Sequence, residues 1–134
     1  MQLRPYQSAS IDAVNAFLEH RDGNPVISLP VGAGKAVILA AMLRDYLTHW
    51  PQSRFCVLVH VRELVEQNYN KLKAIWPEAP AGIYSAGLNR RDTHHNVIFA
   101  SIQSVYKRAG ELGFFDVVLV DECHRIKLSA EGTY

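Results

Sequence analysis

The sequence predicts an α/β fold in which a mainly parallel sheet lies between two layers of helices. Two observations support this prediction. Short apolar runs are unbroken enough to be buried on both faces, and segments with helical periodicity alternate with them along the chain. Such alternation is typical of βαβ units in a doubly wound sheet. The chain has 134 residues, of which 49% are hydrophobic, so it can form one domain around one core.

The elements follow in order from the spacing of apolar residues. A leading amphipathic helix is predicted at residues 7–20, before Gly23, Asn24 and Pro25 break the pattern. Apolar runs predict strands at residues 26–29, 55–59, 83–85, 97–100 and 115–120. Three more helices are predicted at residues 36–49, 63–76 and 102–108. Residues 87–96 form a polar loop in this interpretation.

The charge and the cysteine content of the chain limit the kinds of binding site that it can carry. Fourteen Lys and Arg against thirteen Asp and Glu leave a net charge of +1, so any nucleic-acid site must be a local patch. The two cysteines, Cys56 and Cys123, lie in or beside apolar runs, where buried free thiols are more common than disulfides or metal sites. Because no apolar run has the length of a signal peptide or a membrane span, we expect a cytoplasmic protein without a membrane partner.

The segment between the first predicted strand and the next helix has the composition of a phosphate-binding loop. Glycines there would let backbone N–H groups turn toward an anion at a helix N-terminus. The predicted nucleotide-binding residues are Pro30, Val31, Gly32, Ala33, Gly34, Lys35 and Ala36. Lys35 would reach the β- and γ-phosphates, but Ala36 lacks the hydroxyl that usually binds Mg²⁺. We therefore expect slower hydrolysis, and the alternative of a nucleotide- or nucleic-acid-binding module with little or no hydrolysis stays open.

Two carboxylates directly follow the last apolar run. Asp121 and Glu122 precede Cys123 and His124 at the carboxyl end of a predicted strand, the edge at which ligands bind in open α/β sheets. Asp121 would hold Mg²⁺ through a water, and Glu122 would orient and deprotonate the water that attacks the γ-phosphate. The competing interpretation is a solvated strand end.

With these two sites, the chain resembles the first RecA-like domain of superfamily-two helicases of the DEAD/DEAH type over nearly its whole length. The resemblance implies a three-layer P-loop NTPase fold, ATP and Mg²⁺ as cofactors, and an enzyme that couples ATP hydrolysis to movement on nucleic acid, DNA more than RNA. Residues 3–7, LRPYQ, are similar to the Q-motif of this family. By that resemblance Gln7 would read the adenine edge and Arg4 would lie beside the base.

Two further stretches carry the resemblance. HVRELVEQ, residues 60–67, is similar to motif Ia, which implies that Arg62 lies near the nucleic-acid backbone. ASIQS, residues 100–104, resembles a later motif in which Ser101 and Gln103 would touch the phosphodiester chain. A solvated arginine, an N-cap serine and a surface glutamine remain the alternatives. The stretches AGLNRRD, IFASIQSV and VDECHRI look most like RadD-type bacterial repair helicases and related phage or restriction-system motors.

The chain also departs from the family pattern. Val31, Ala36 and Val61 stand where the family usually has threonine. The two valines keep the shape of threonine but lose its hydroxyl, and Ala36 also lacks the hydroxyl. Only residues 125–134 follow His124. We therefore expect a partial N-terminal RecA-like helicase domain over residues 1–134, with its sheet incomplete at the C-terminus. We also expect the second RecA-like domain, which supplies an arginine finger in the family, to be missing and the isolated chain to be weakly active or inactive.

Overall fold

A computed structural model describes residues 2–30, 34–106 and 108–121 of the chain. Five helices and five strands are found in these residues, together with a 3₁₀ turn at Ala86–Leu88. The helices are α1 (Pro5–His20), α2 (Lys35–His49), α3 (Arg62–Ile75), α4 (Ile102–Val105) and α5 (Ala109–Leu112). The strands are β1 (Phe55–Val59), β2 (Ala81–Ser85), β3 (Arg90–Arg91), β4 (Val97–Ser101) and β5 (Val117–Val120). Within the described ranges, no helix combines the length and hydrophobicity needed to cross a bilayer.

The strands form one sheet in the order β3-β2-β4-β1-β5. All neighbouring pairs are parallel except that of β3, which runs antiparallel beside β2. In the centre of the sheet, Phe55 of β1 is in register with Val97 of β4 and Val117 of β5. Because β1, β4 and β5 are parallel and start in register, their carboxyl ends reach the same rim of the sheet. The segments that follow these three strands therefore meet at that rim.

Alternate side chains of the strands face two different helical layers. Odd-numbered residues of β1 pack beneath α2 and α3, whereas Cys56 faces α4 and α5. The first core includes Leu43, Phe55, Val57, Val59, Val65, Leu72, Ile83 and Phe99. The second core includes Cys56, Tyr84, Ile98, Ile102, Val105 and Leu112, and α1 packs on α2 through Ile11, Val14, Ile38 and Met42. Burial of each large aliphatic side chain contributes about 1.5–3 kcal/mol, so these layers hold the rim in place.

The α/β fold class with a mainly parallel sheet is confirmed. The first three helices begin one or two residues before their predicted starts, and β1 has the predicted bounds. The strand predicted at residues 26–29 is wrong, because this segment is not in a strand and the side chain of Val26 is 71% exposed. Pro25 and Pro30 flank the segment and lack N–H donors, so a ladder of hydrogen bonds could not extend beyond its four residues.

The chain also differs from prediction after β2 and β4. The helix predicted at residues 102–108 ends at Val105, and Arg108 has a non-helical backbone with φ of −131° before α5 begins. Val105 and Tyr106 are β-branched and aromatic residues with low helix propensity, which favours an early end. Within the polar loop, Arg90 and Arg91 add a short antiparallel edge strand to β2.

Candidate functional site

The N-terminus of α2 meets the carboxyl end of β5 at the common rim. Gly34 caps α2 in the left-handed conformation, with φ of 78°, which glycine adopts without steric cost. The next residue, Lys35, forms an ion pair through its Nζ with Oδ1 of Asp121. The Asp121 side chain is 10% exposed and that of Lys35 is 58% exposed. The structure thus brings two of the predicted catalytic residues into contact, and their catalytic roles remain predictions.

The second carboxylate oxygen of Asp121 has a different partner. Asn68 of α3 donates a hydrogen bond from Nδ2 to Oδ2 of Asp121 over 3.2 Å. The Asp121 amide also donates to the carbonyl of Leu58 over 3.0 Å, which continues the pairing of β5 with β1. Sequence reasoning did not identify Asn68, because an isolated asparagine on a predicted helix carries no motif signal. Its position directly after the motif Ia-like stretch was the only indication in the sequence.

The predicted adenine-reading residue packs against the start of α2. Gln7 is only 3% exposed, and its Oε1 accepts a hydrogen bond of 2.9 Å from the Arg4 amide. A Cβ atom added at Gly34 would lie 2.4 Å from Nε2 of Gln7, so a side chain at Gly34 would displace this amide. Arg4 is exposed, and its Nη1 lies 3.4 Å from the hydroxyl oxygen of Tyr6. The structure places Gln7 beside Gly34 at the end of the predicted phosphate loop, whereas its contact with adenine stays a prediction.

Part of the predicted nucleotide site lies outside the described residues, namely Val31, Gly32, Ala33 and Glu122. At the borders of the loop, Pro30 is exposed, and Ala36 presents only a methyl group in the first turn of α2.

The donor set at the rim bears on whether Mg²⁺ would fit there. No cluster of three or more His, Cys, Asp or Glu residues is present in the part of the chain that the structure describes. Mg²⁺ needs only one or two carboxylates when nucleotide phosphates and waters complete its shell. The nearly buried carboxylate of Asp121 is the hard oxygen ligand that the ion prefers, so this position fits an ion that arrives with a nucleotide.

The residues predicted to contact nucleic acid gather after β1 and β4. Gln103 donates from Nε2 to the His60 carbonyl over 3.1 Å, which links the segments that follow these two strands. The Ser101 side chain is 3% exposed, and its hydroxyl oxygen lies 2.7 Å from that of Ser104. Ser104 in turn accepts a hydrogen bond of 2.9 Å from the Ala86 amide. Ser101 therefore holds the turn after β4 together in this structure, while Gln103 is exposed at the rim.

Arg62 begins α3 at the same rim. Its side chain is 56% exposed, and Nη2 lies 3.3 Å from a carboxylate oxygen of Glu63. The aliphatic part of the side chain crosses Gly87, where an added Cβ atom would lie 2.0 Å from Cδ of Arg62. A side chain at position 87 would displace Arg62 from this position, a contact that sequence reasoning did not identify. The rim therefore carries an exposed arginine and an exposed amide beside the contact between Lys35 and Asp121.

The described groups with shifted pKa values lie away from these contacts. Burial raises the pKa of the Cys56 thiol to about 12 beneath α4 and α5. Burial also raises the pKa of Tyr84, and so does its hydroxyl's 2.5 Å hydrogen bond to Oε2 of Glu111. These shifts follow from packing around the sheet and identify no acid or base at the rim.

Comparison with known proteins gives one family match and several relatives. The profile of the family described as type III restriction enzyme, res subunit, matches residues 1–132. IRC3 of Saccharomyces cerevisiae, a candidate ATP-dependent helicase by its name, is 28% identical over 129 residues that cover 91% of this chain and 19% of IRC3.

Two solved structures are similar in fold. The UvsW helicase of bacteriophage T4 matches with a TM-score of 0.75 and 20% identity, covering 95% of this chain and 45% of UvsW. A nuclease-deletion mutant of the type ISP restriction-modification enzyme LlaGI, solved with a DNA substrate mimic, matches with a TM-score of 0.69 and 17% identity. That match covers 92% of this chain and 15% of LlaGI. The chain thus spans less than half the length of each of these three relatives.

Proposed function

The chain belongs to the family of the type III restriction enzyme res subunit, and from this premise we propose that it is the ATP-binding domain of a helicase or translocase that moves on nucleic acid. The observation that supports this proposal best is the contact between Lys35 and Asp121. It joins a lysine at a helix N-terminus, where anions bind, to a carboxylate at the carboxyl end of a parallel strand. A triphosphate that displaces this contact would meet a cation in Lys35 and a metal-binding oxygen in Asp121.

In this proposal ATP binds along the N-terminus of α2. Lys35 exchanges its contact with Asp121 for the β- and γ-phosphates, and the positive end of the helix dipole faces the phosphate chain. Asp121 would hold Mg²⁺, which supplies charge neutralisation on the phosphate oxygens when bound. Gln7, buried beside Gly34, and Arg4 would border the adenine. Glu122 is proposed as the base that deprotonates the attacking water.

The nucleic-acid track is proposed to cross the carboxyl ends of β1 and β4. Arg62 is an exposed cation there and Gln103 an exposed amide, which suit phosphate oxygens as partners. With a net charge of only +1, attraction must come from such local groups. We propose DNA rather than RNA, a choice supported by the DNA substrate mimic named for the LlaGI structure. A DEAD/DEAH-type motor and a cytoplasmic location belong to the same proposal.

The complete motor is proposed to need a second RecA-like domain. In phosphoryl transfer an arginine finger stabilises the charge of the transition state and is worth about 10³ to 10⁵ in rate. We propose that such a domain supplies this group, so that ATP hydrolysis drives movement only when both domains are present. For residues 1–134 alone, nucleotide binding is the property that tests the proposal.

Titration with a fluorescent ATP analogue tests the nucleotide site. Lys35→Ala is compared with the unaltered protein and with Lys71→Ala, which removes an exposed lysine of α3. We expect Lys35→Ala to weaken binding by at least about tenfold, the factor given by about 1.4 kcal/mol, and Lys71→Ala to leave it unchanged. Equal binding by all three proteins would refute the proposed phosphate site.

A further inference from the structure

We infer that Asn68 is a positioning residue for Asp121, holding one carboxylate oxygen so that the other is presented to Lys35 and to a nucleotide-bound cation. The inference rests on the proposed function, because it assigns Asn68 a part in the same nucleotide site. It concerns the orientation of the carboxylate and the strength with which a bound nucleotide retains Mg²⁺.

The two oxygens of Asp121 face different elements. Oδ2 accepts the 3.2 Å hydrogen bond from Nδ2 of Asn68 on α3, whereas Oδ1 contacts Lys35 at the start of α2. The carboxylate is 10% exposed, so solvent can satisfy little of its hydrogen-bonding capacity. A nearly buried carboxylate without a donor on Oδ2 would lose hydrogen-bond energy and would be free to rotate. The amide of Asn68 thus fixes which oxygen faces α2.

The position of Asn68 on α3 makes it a rigid donor. Val65 and Leu72 lie three residues before it and four residues after it, so all three share one face of the helix. Val65 is 0% exposed and Leu72 is 1% exposed, which anchors that face in the core beneath the sheet. The amide therefore projects from a helix that core packing holds in place. Asp121 must adopt the orientation that this fixed donor allows.

The chemistry of the two partners of Asp121 differs in a way that suits their separate roles. Asn68 donates a hydrogen bond without adding charge, so the negative charge of the carboxylate stays available to a cation. Lys35 has a long flexible side chain that is 58% exposed and can leave when phosphates approach. When Lys35 moves to the triphosphate, Oδ1 becomes available in a direction already set by Asn68. The inferred role is therefore to preserve the cation-binding geometry during this exchange.

Nucleotide affinity with and without Mg²⁺ tests the inference. In Asn68→Leu the donor is lost while the number and branching of the side-chain heavy atoms are kept, and Asn70→Leu makes the same change at an exposed position of α3. Affinity for a fluorescent ATP analogue is measured in Mg²⁺ and in EDTA. We expect Asn68→Leu to reduce the gain in affinity that Mg²⁺ provides by about 10- to 100-fold, as for other residues that orient metal ligands. Affinity in EDTA stays unchanged, and Asn70→Leu changes neither value.

Two comparisons separate the possible failures. A purely structural role for Asn68 would weaken binding equally in Mg²⁺ and in EDTA, and an unchanged Mg²⁺ gain in Asn68→Leu would equally overturn the inference. If Asn68→Leu does not fold by circular dichroism, Asn68→Gln keeps an amide donor displaced by one methylene and is expected to lose part of the Mg²⁺ gain. A full Mg²⁺ gain in Asn68→Gln then overturns the inference. Failure of the proposed function is distinct, because Lys35→Ala would then bind the analogue as well as the unaltered protein does.

Discussion

The Lys35 ammonium contacts the Asp121 carboxylate across 86 residues of sequence, and in the proposed function nucleotide phosphates compete for the same cation. In Asp121→Asn the competing charge is absent, so we expect the variant to bind a fluorescent ATP analogue more tightly in EDTA. The gain is up to about fivefold, because solvent reaches this ion pair at Lys35, and ion pairs screened by solvent contribute about 1 kcal/mol or less. The additional affinity provided by Mg²⁺ should be lost.

Asp45→Asn is the matched control for this experiment. Asp45 lies on α2, the helix that begins with Lys35, but its side chain is 53% exposed and 3.4 Å from His49 rather than near Lys35. We expect Asp45→Asn to keep both the EDTA affinity and the Mg²⁺ gain of the unaltered protein. A Mg²⁺ gain retained by Asp121→Asn would contradict the assignment of Asp121 as the metal ligand.

Ala36 presents a methyl group in the first turn of α2, where a hydroxyl could bind a cation. We expect Ala36→Thr to raise Mg²⁺-dependent phosphate release by about tenfold, the factor given by about 1.4 kcal/mol of transition-state stabilisation. Phosphate release is measured with DNA present, and Ala36→Val is the control because valine has the shape of threonine without the hydroxyl. Equal rates in the two variants would attribute any effect to shape, and fast release by the unaltered chain would show that the hydroxyl is dispensable.

The sequence predicts those contacts of the site that motifs specify, and does not predict those that depend on how helices pack. The two motifs predict the approach of Lys35 to Asp121, and β5 brings Asp121 to the rim that the parallel strands share. The strand predicted before Lys35, at residues 26–29, is however not part of the sheet. The hydrogen bond from Asn68 could not be predicted, since it depends on how α3 is rotated against the sheet. The close approach of Arg62 to Gly87 likewise arises from packing between segments distant in sequence. Roles that need a bound ligand, such as the predicted adenine contact of Gln7, cannot be derived from the sequence pattern or from side-chain packing alone.

The elements of the fold also differ in how well the sequence predicts them. Helical periodicity identified α1, α2 and α3 to within one or two residues, because an amphipathic pattern reports the face that each helix buries. A short apolar run does not indicate which strand, if any, will pair with it in the sheet. Residues 26–29 and 55–59 both predicted strands, yet only the second is flanked by two neighbours in the sheet. Strand formation depends on pairing that a local pattern cannot specify.

Asp92 stabilises the edge of the sheet in a pH-dependent way. Burial alone would raise the pKa of its carboxyl, but hydrogen bonds from the Ile83 amide and the Arg90 guanidinium, with the charge of Arg90, lower that pKa below its ordinary value. A depressed pKa in the folded state contributes stability that is present above about pH 4 and is lost as the pH falls below that value. We expect Asp92→Asn to reduce the free energy of unfolding at pH 7 by about 1 kcal/mol.

Urea unfolding at pH 7, 5 and 3 measures this effect. The difference in stability between the unaltered protein and Asp92→Asn should persist at pH 5 and shrink at pH 3, which lies below the ordinary aspartate pKa of about 3.9. Asp12→Asn, at an exposed position of α1, is the control and should change stability little at any of these pH values. A difference that does not vary with pH would contradict the charged interaction.

Cys56 is expected to resist thiol reagents in the folded protein. Its side chain lies in the core beneath α4 and α5 with 4% exposure, and burial raises its pKa to about 12. Because the thiolate is the reactive species, a Cys123→Ser protein should react with a chromogenic disulfide at pH 8 only after denaturation. The raised pKa also means that stability falls above about pH 8.5, where the unfolded thiol ionises. Rapid reaction of the folded protein would contradict the burial of this thiol.

Arg54, just before β1, links the segments around Thr93 and Leu112 at the amino end of the sheet, away from the candidate site. Its guanidinium donates hydrogen bonds to the carbonyls of Leu112 and Thr93 over 2.5 and 2.7 Å, and its Cζ lies 4.5 Å from the centre of the Phe115 ring. Lysine cannot donate in several directions from one plane while covering an aromatic ring. We therefore expect Arg54→Lys to reduce the free energy of unfolding in urea by about 1–3 kcal/mol.

The matched control for Arg54 is Arg44→Lys, at an exposed position of α2, which should change stability by less than about 0.5 kcal/mol. Because Arg54 lies at the end of the sheet opposite Lys35 and Asp121, folded Arg54→Lys should bind the ATP analogue with unchanged affinity. Loss of stability with unchanged affinity would show that Arg54 contributes to folding and not to nucleotide binding at the opposite end of the sheet. Unchanged stability would mean that lysine and solvent donate hydrogen bonds to the same carbonyls. The several donors of the Arg54 guanidinium would then not be needed to hold these segments.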